Sequence, residues 1–179
     1  MKVYVMRHGK TVWNEKNRIQ GLSRNRLSKT GDELVKIVAE RYKNVQFDVI
    51  FASPLMRTMQ TANIMNSYHN VKIIKDERLI EIDQGIFTGR FKSTLTDVEK
   101  QQRANRDESC GMEKFESVYA RANDFLEFLK TQRYDNVLII THNANASLLE
   151  DIINGVQVEF DNYGNKVKFK NAEVKIFTI

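Results

Sequence analysis

An α/β fold, a mostly parallel sheet with helices on both faces, is the architecture this sequence predicts. Three observations predict it. Short runs of β-branched and aromatic residues recur along the chain, each about the length of a buried strand. Between them lie stretches with helix-start chemistry and apolar residues at helical spacing. Alternation of this kind calls for parallel strands joined by crossover helices. In such sheets ligands bind beyond the carboxyl ends of the strands. Three basic segments, at Arg7-His8, Arg57 and His142, fall at or just beyond such ends.

The elements follow in order. Residues 2–6 form the first apolar run, and Arg7-His8-Gly9 leaves it. Thr30-Gly31-Asp32-Glu33 reads as a capping box, with Ser28 as a rival cap. Leu34, Ile37, Val38 and Arg41-Tyr42 then continue at helical spacing. Residues 48–52 are a second strand. Ser53-Pro54 reads as a helix start, with a hydroxyl cap and proline at the first helical position, where its missing N–H is not needed. His69, in the polar stretch 66–70, reads as solvated. Residues 71–75 are the third strand. The segment 83–112 is polar, carries Gly85, Gly89 and Gly111, and reads as an insertion beside the site with a helix near 94–104. A helix over 115–132, a strand over 136–141 and a helix over 144–154 ended by Gly155 come next. Asp161-Asn162-Tyr163-Gly164-Asn165 suggests a hairpin turn, with Val174 to Ile179 as an edge strand.

Composition bounds the function. The 179 residues suggest one domain, 1–179, with enough chain for a substantial core. The formal charge of +5 favours anionic ligands. Lys and Arg are spread along the chain, and neither zinc-ligand spacing nor an aromatic RNA-binding signature is present, which argues against nucleic acid. No apolar stretch reaches transmembrane length, and the first residues enter a strand without a signal-peptide layout, so no membrane partner and a cytoplasmic location are expected. Cys110 is the single cysteine, which excludes an intrachain disulfide. No His-x-x-x-His or comparable spacing suggests a metal site, and no cofactor is expected. Oligomeric state is not readable.

Several segments together resemble a known family. Arg7-His8-Gly9-Lys10-Thr11-Val12-Trp13-Asn14, Arg18-Ile19-Gln20-Gly21 and Leu27-Ser28-Lys29-Thr30-Gly31 are similar to the histidine phosphatase superfamily, also called phosphoglycerate mutase-like. Ser53 to Ala62, Leu79 to Gly85 with Gly89, and Thr141-His142 match in the same order. The resemblance implies that His8 is a nucleophile forming a phosphohistidine. It implies that Arg7, Arg57 and His142 surround the phosphoryl oxygens, with Asn14 as a neutral donor and Gln20, Gly21 and Asn143 at the phosphate or substrate. Glu81 matches the general acid, a role that needs a carboxyl carrying a proton near neutral pH; Asp83 and Glu77 stand close by as rivals. This chemistry uses no metal.

The chain also departs from the family pattern. Lys10 stands where an acid or amide is usual, and Asn143 where glycine is common; asparagine tolerates left-handed angles and keeps its N–H. Arg24 and Arg26 replace a frequent Asp and Pro beside the pocket, suggesting either a solvated loop or a preference for a second negative group. Arg103 and Arg106 sit in a context that does not match the family's substrate-binding arginines. Both the segment after Glu81 and the C-terminal tail are shorter than in the mutases. The expectation is a metal-independent phosphomonoesterase acting on small phosphorylated metabolites. The alternatives are a cofactor-dependent phosphoglycerate mutase and a catalytically weak phospho-ligand or protein-binding module.

Overall fold

The computed structural model describes residues 1–160, 163–165 and 169–179. In chain order they form β1 (Lys2–Arg7), α1 (Val12–Glu15), α2 (Lys29–Tyr42), β2 (Val49–Ala52), α3 (Met56–Met65), β3 (Lys72–Lys75), α4 (Asp97–Ala104), α5 (Phe115–Lys130), β4 (Asn136–Thr141), α6 (Asn143–Ile153) and β5 (Val174–Thr178). The sheet order is β3-β2-β4-β1-β5. The pairs β3-β2, β2-β4 and β4-β1 are parallel, and β5 closes the edge antiparallel to β1.

The central strands are apolar between their end residues because both of their faces are covered. Successive side chains point to opposite faces. Val3, Val5, Phe51, Val137 and Ile139 therefore join Phe125, Leu126 and Leu129 of α5 and Leu148 and Leu149 of α6 on one side. Tyr4, Met6, Ile50, Leu138 and Ile140 join Val35 and Val38 of α2 and Ala62 and Met65 of α3 on the other. Along α5, Val118, Ala122, Phe125, Leu126 and Leu129 recur at helical spacing and are buried. Each large apolar side chain among them contributes about 1.5–3 kcal/mol on burial, which fixes α5 as a rigid support.

Local chemistry corrects several expectations. The cap of α2 is Ser28, whose hydroxyl accepts from the Gly31 N–H at 3.1 Å, while Thr30 donates instead to Glu15. Gly31 is required there by close approach, since a Cβ would lie 1.9 Å from the Lys10 carbonyl. α3 begins at Met56, not at Pro54, and has no side-chain cap, because its cap position falls on Leu55, which carries no acceptor, while the Ser53 hydroxyl two residues upstream meets His142. α1 is an additional short helix closed by a Thr11–Asn14 capping box. His69 is not simply solvated: it is half-buried edge-on to Phe47, with ring centroids 4.8 Å apart. Of the turn expected over 161–165, Asp161 and Asn162, like residues 166–168, lie outside the described residues, while Tyr163–Asn165 form a single 3-10 turn. Among those described, 156–160 form no strand and β5 pairs with β1.

Candidate active site

Three parallel strands end side by side, and the backbone ladder runs on past them. Arg7 lies opposite Thr141, and the next residue, His8, donates its N–H to the Thr141 carbonyl at 3.0 Å. On the other side of β4, Ser53 donates its N–H to the Ile140 carbonyl at 3.0 Å. These bonds bring His8, Ser53 and His142 together at the carboxyl edge of the sheet. The two imidazole rings stand 5.2 Å apart, centroid to centroid.

Their surroundings keep both rings neutral. His8 Nδ1 lies 2.7 Å from the Gly9 carbonyl, which can only accept, so Nδ1 carries the proton and Nε2 keeps its lone pair. Burial pushes the His8 pKa well below its usual value, and the Arg57 and Arg7 charges push it the same way. The His142 pKa is likewise pushed well below its usual value, by burial first and then by Arg57, His8, Arg7 and Arg121. Its Nε2 pairs with the Ser53 hydroxyl at 2.8 Å. Its Nδ1 is buried with no partner among the described residues.

The two arginines are held by backbone carbonyls, not by carboxylates. Arg57 is fully buried and donates from Nη2 to Gly21 at 2.8 Å and from Nη1 to Ser23 at 3.0 Å. Gly21 has φ +46°, the left-handed conformation that glycine adopts without strain. Burial lowers the Arg57 pKa to about 10, against a smaller upward pull from Glu81. Arg7 donates from Nη1 to the Phe169 carbonyl at 2.7 Å. The Nε of each guanidinium is buried and has no partner among the described residues. Asn14 has its Oδ1 engaged by the Thr11 N–H and hydroxyl, at 3.0 and 2.9 Å, which leaves its amide nitrogen as the donor.

A cavity of about 400 Å³ lies above these groups, and Arg7, Asn14, Gln20, Gly21, Glu81 and Asn143 border it. His8, Arg57 and His142 are buried and do not border it. Gln20 also braces the loop, its Oε1 accepting from Asn25 at 2.8 Å. Asn143 is the first residue of a right-handed helix, so the left-handed tolerance invoked for it is not used. Its Oδ1 accepts from the Phe169 N–H at 3.3 Å. Arg24 and Arg26 are exposed and stay out of the cavity. The reason is alternation: Asn25 between them turns inward, bonding Thr11 and Gln20, and its neighbours turn outward.

The cavity's remaining charge comes from residues to which the sequence assigned no role. Arg18, Lys92, Lys100, Arg103 and Arg106 line it, four of them from the segment 83–112, and Glu81 is its one carboxylate among the described residues. The signal was available in α4, where Lys100, Arg103 and Ala104 share a helical face. Lys92 is lowered by burial and then by Arg103 and Arg7. No group of three His, Cys, Asp or Glu that could hold a metal occurs among the described residues. No helix among them is long and apolar enough to cross a membrane.

The chain is similar to proteins whose names point the same way. Phosphoserine phosphatase 1 of Hydrogenobacter thermophilus is 30% identical over 151 residues, covering 80% of this chain and 72% of that protein. An Enterobacter protein named as a probable phosphoglycerate mutase is 42% identical over 100 residues, 56% of this chain and 46% of its own length. The chain thus spans about half of the mutase relatives it matches. Among solved structures, a mycobacterial glucosyl-3-phosphoglycerate phosphatase superposes with a TM-score of 0.83 at 22% identity, over 98% of this chain and 91% of that one, which shows the shared fold. The family model for the histidine phosphatase superfamily (branch 1) matches residues 3–179. With its two histidines on adjacent strand ends and that match along nearly its whole length, the chain belongs to the histidine phosphatase superfamily.

Proposed function

We propose that the protein is a metal-independent phosphomonoesterase that works through a phosphohistidine on His8 and acts on small phosphorylated metabolites. The observation that carries this reading is the state of His8: a neutral ring, its Nδ1 proton anchored on Gly9, with the Nε2 lone pair left for attack. Arg7 and Asn143, the neighbours of the two histidines in sequence, border the cavity, which supports a phosphoryl group entering there and reaching the two buried rings beneath them.

In the first step the Nε2 lone pair forms a bond to phosphorus as the phosphorus–oxygen bond to the leaving group breaks. Glu81 gives the leaving oxygen its proton. The spare N–H groups of Arg7 and Arg57, the Asn14 amide and His142 Nδ1 take up charge spreading over the three equatorial oxygens. With the Ser53 hydroxyl donating to His142 Nε2, Nδ1 carries the proton that this role needs. In the second step water attacks phosphorus, Glu81 takes the water proton, and the phosphorus–nitrogen bond breaks to regenerate His8 and release phosphate.

The test is a short incubation with ³²P-labelled phosphomonoester quenched in base. Acid-labile label should appear on the protein and be lost, with turnover, in His8→Ala. Turnover at the normal rate in that variant refutes the nucleophile. Label without steady phosphate release, discharged only by an added phosphoglycerate, would instead make the protein a mutase.

A further inference from the structure

Glu81 stands on backbone without regular structure, since residues 80–83 belong to neither helix nor strand. A proton donor needs a fixed reach, and nothing in the sheet supplies one there. The stretch is nevertheless held on both flanks by a single ion pair. On the upstream side Arg121 of α5 donates from Nη1 to the carbonyls of Arg78 at 2.9 Å and Ile80 at 2.5 Å. Downstream, the Glu113 carboxylate accepts from the Asp83 N–H at 3.0 Å. Arg121 closes the loop, with Nε and Nη2 each 3.2 Å from one of the two Glu113 oxygens. The path runs from the Ile80 carbonyl through Arg121 and Glu113 to the Asp83 amide, with Glu81 between its ends.

Neither partner borders the cavity, and both side chains are mostly buried, at 16% and 20% exposed. A buried ion pair contributes little net stability compared with packed apolar residues, so stability alone is a weak reason for it here. Apolar residues could not satisfy a carbonyl and an amide on either side of Glu81. Surrounding bonds give the clamp an anchor: Thr141 Oγ1 donates to the Leu79 carbonyl at 2.6 Å, and Asn145 Nδ2 donates to that of Arg78 at 2.9 Å. Arg106 adds to the downstream side, donating from Nε to the Glu113 carbonyl at 2.7 Å and from Nη2 to that of Asp83.

We propose that Arg121 and Glu113 are positioning residues that act through Glu81, setting the reach of its carboxyl to the leaving-group oxygen. The inference rests on Glu81 being the proton donor. A donor out of place matters most when the leaving group is a poor one, because aryl oxygens depart with little protonation and alkyl oxygens do not.

The test compares kcat/KM for p-nitrophenyl phosphate and glycerol phosphate in Glu81→Gln, Arg121→Met, Glu113→Gln and the double variant Arg121→Met/Glu81→Gln. General acid catalysis is worth about 100-fold or more, so Glu81→Gln should lose at least that on the alkyl ester. Arg121→Met should lose about tenfold or more on the alkyl ester and less than about threefold on the aryl ester, and the double variant should be no slower than Glu81→Gln. The retained aryl activity certifies the fold. If Arg121→Met does not fold, Glu113→Gln, which keeps the shape and one acceptor, gives the same readout. Equal losses on both esters, or losses that add in the double variant while Glu81→Gln alone is selective, overturn the clamp and leave Glu81 as the acid. A Glu81→Gln variant that is itself unselective overturns the acid assignment and the clamp with it.

Discussion

Arg57→Met separates catalysis from stability more sharply than any other substitution at this site. Two opposing effects set the stability change. Loss of the guanidinium leaves the Gly21 and Ser23 carbonyls without their donor, which costs about 1–3 kcal/mol each. Against this, the fall of the Arg57 pKa to about 10 from 12.5 means that burying the charge withholds about 3 kcal/mol, which methionine restores. The two nearly cancel. The net change is within about 3 kcal/mol, or a fall in Tm of less than about 10 °C for a chain of this size. Catalysis has no such compensation. Two of the five guanidinium N–H donors are used by the carbonyls, and the rest, including the unpartnered Nε, remain for phosphoryl oxygens. Removing a preorganised donor of this kind lowers kcat by about 100-fold or more. The assay is phosphate release from p-nitrophenyl phosphate beside a thermal melt of the same sample. Activity within about tenfold of the parent would remove Arg57 from the phosphoryl site, and a collapse of the fold would refute the cancellation.

Two further outcomes follow from the same geometry. His8 and His142 are neutral in the fold with pKa values lowered well below 6.5, so the unfolded chain binds their protons first and stability falls as pH drops below 6.5. The slope is up to about 1.4 kcal/mol per pH unit for each histidine; urea denaturation from pH 7 to 5 should be steeper in the parent than in His8→Asn/His142→Asn, where His69, its pKa also lowered by burial, is the histidine that still contributes, and parallel curves would refute it. Lys92 and Arg103 line the cavity without a carboxylate within ion-pair distance among the described residues, whereas Arg24 and Arg26 are exposed. Lys92→Met/Arg103→Met should therefore raise KM for a phosphomonoester with a second anionic group about tenfold or more and leave p-nitrophenyl phosphate unchanged, while Arg24→Ser/Arg26→Ser alters neither; the reverse pattern would restore the loop arginines as selectivity residues.

The histidine half of the candidate site was legible because the sheet itself builds it. A β-like run followed by Arg7-His8, and another followed by His142, state in sequence what the parallel register does in space. Burial on both faces of β1 and β4 makes those runs apolar, and apolar runs are easy to read. Ser53 was misread because its hydroxyl has two possible uses. The helix starts two residues later than Ser53-Pro54 suggests, with Leu55 at its cap, and the hydroxyl also meets a long-range partner, His142, 89 residues away, which no local pattern announces. The placement of Arg24 and Arg26 was hidden for a related reason: which side chains of an irregular loop turn inward was decided by the bonds of Asn25 to Thr11 and Gln20.

The acid half was least legible, and the fold explains why. Glu81 is held by no strand end or helix cap, so neither period nor capping chemistry marks it out from Glu77 or Asp83. Its fixation depends on Arg121 from α5 and on Glu113 just ahead of that helix, contacts separated by 41 and 30 residues in sequence. Each carboxylate accepts one backbone N–H, Asp83 from Gly85 at 2.9 Å and Glu81 from Ile82 at 3.0 Å, but Asp83 does not border the cavity, whereas Glu81 does. That difference favours Glu81 on geometry, independently of the family pattern. The two halves of the proposed reaction are thus secured by different means, backbone ladder for the attacking imidazole and buried ion pair for the proton donor. The second can be loosened while the backbone ladder of the first stays paired, which is why the aryl and alkyl esters should part company when Arg121 is replaced.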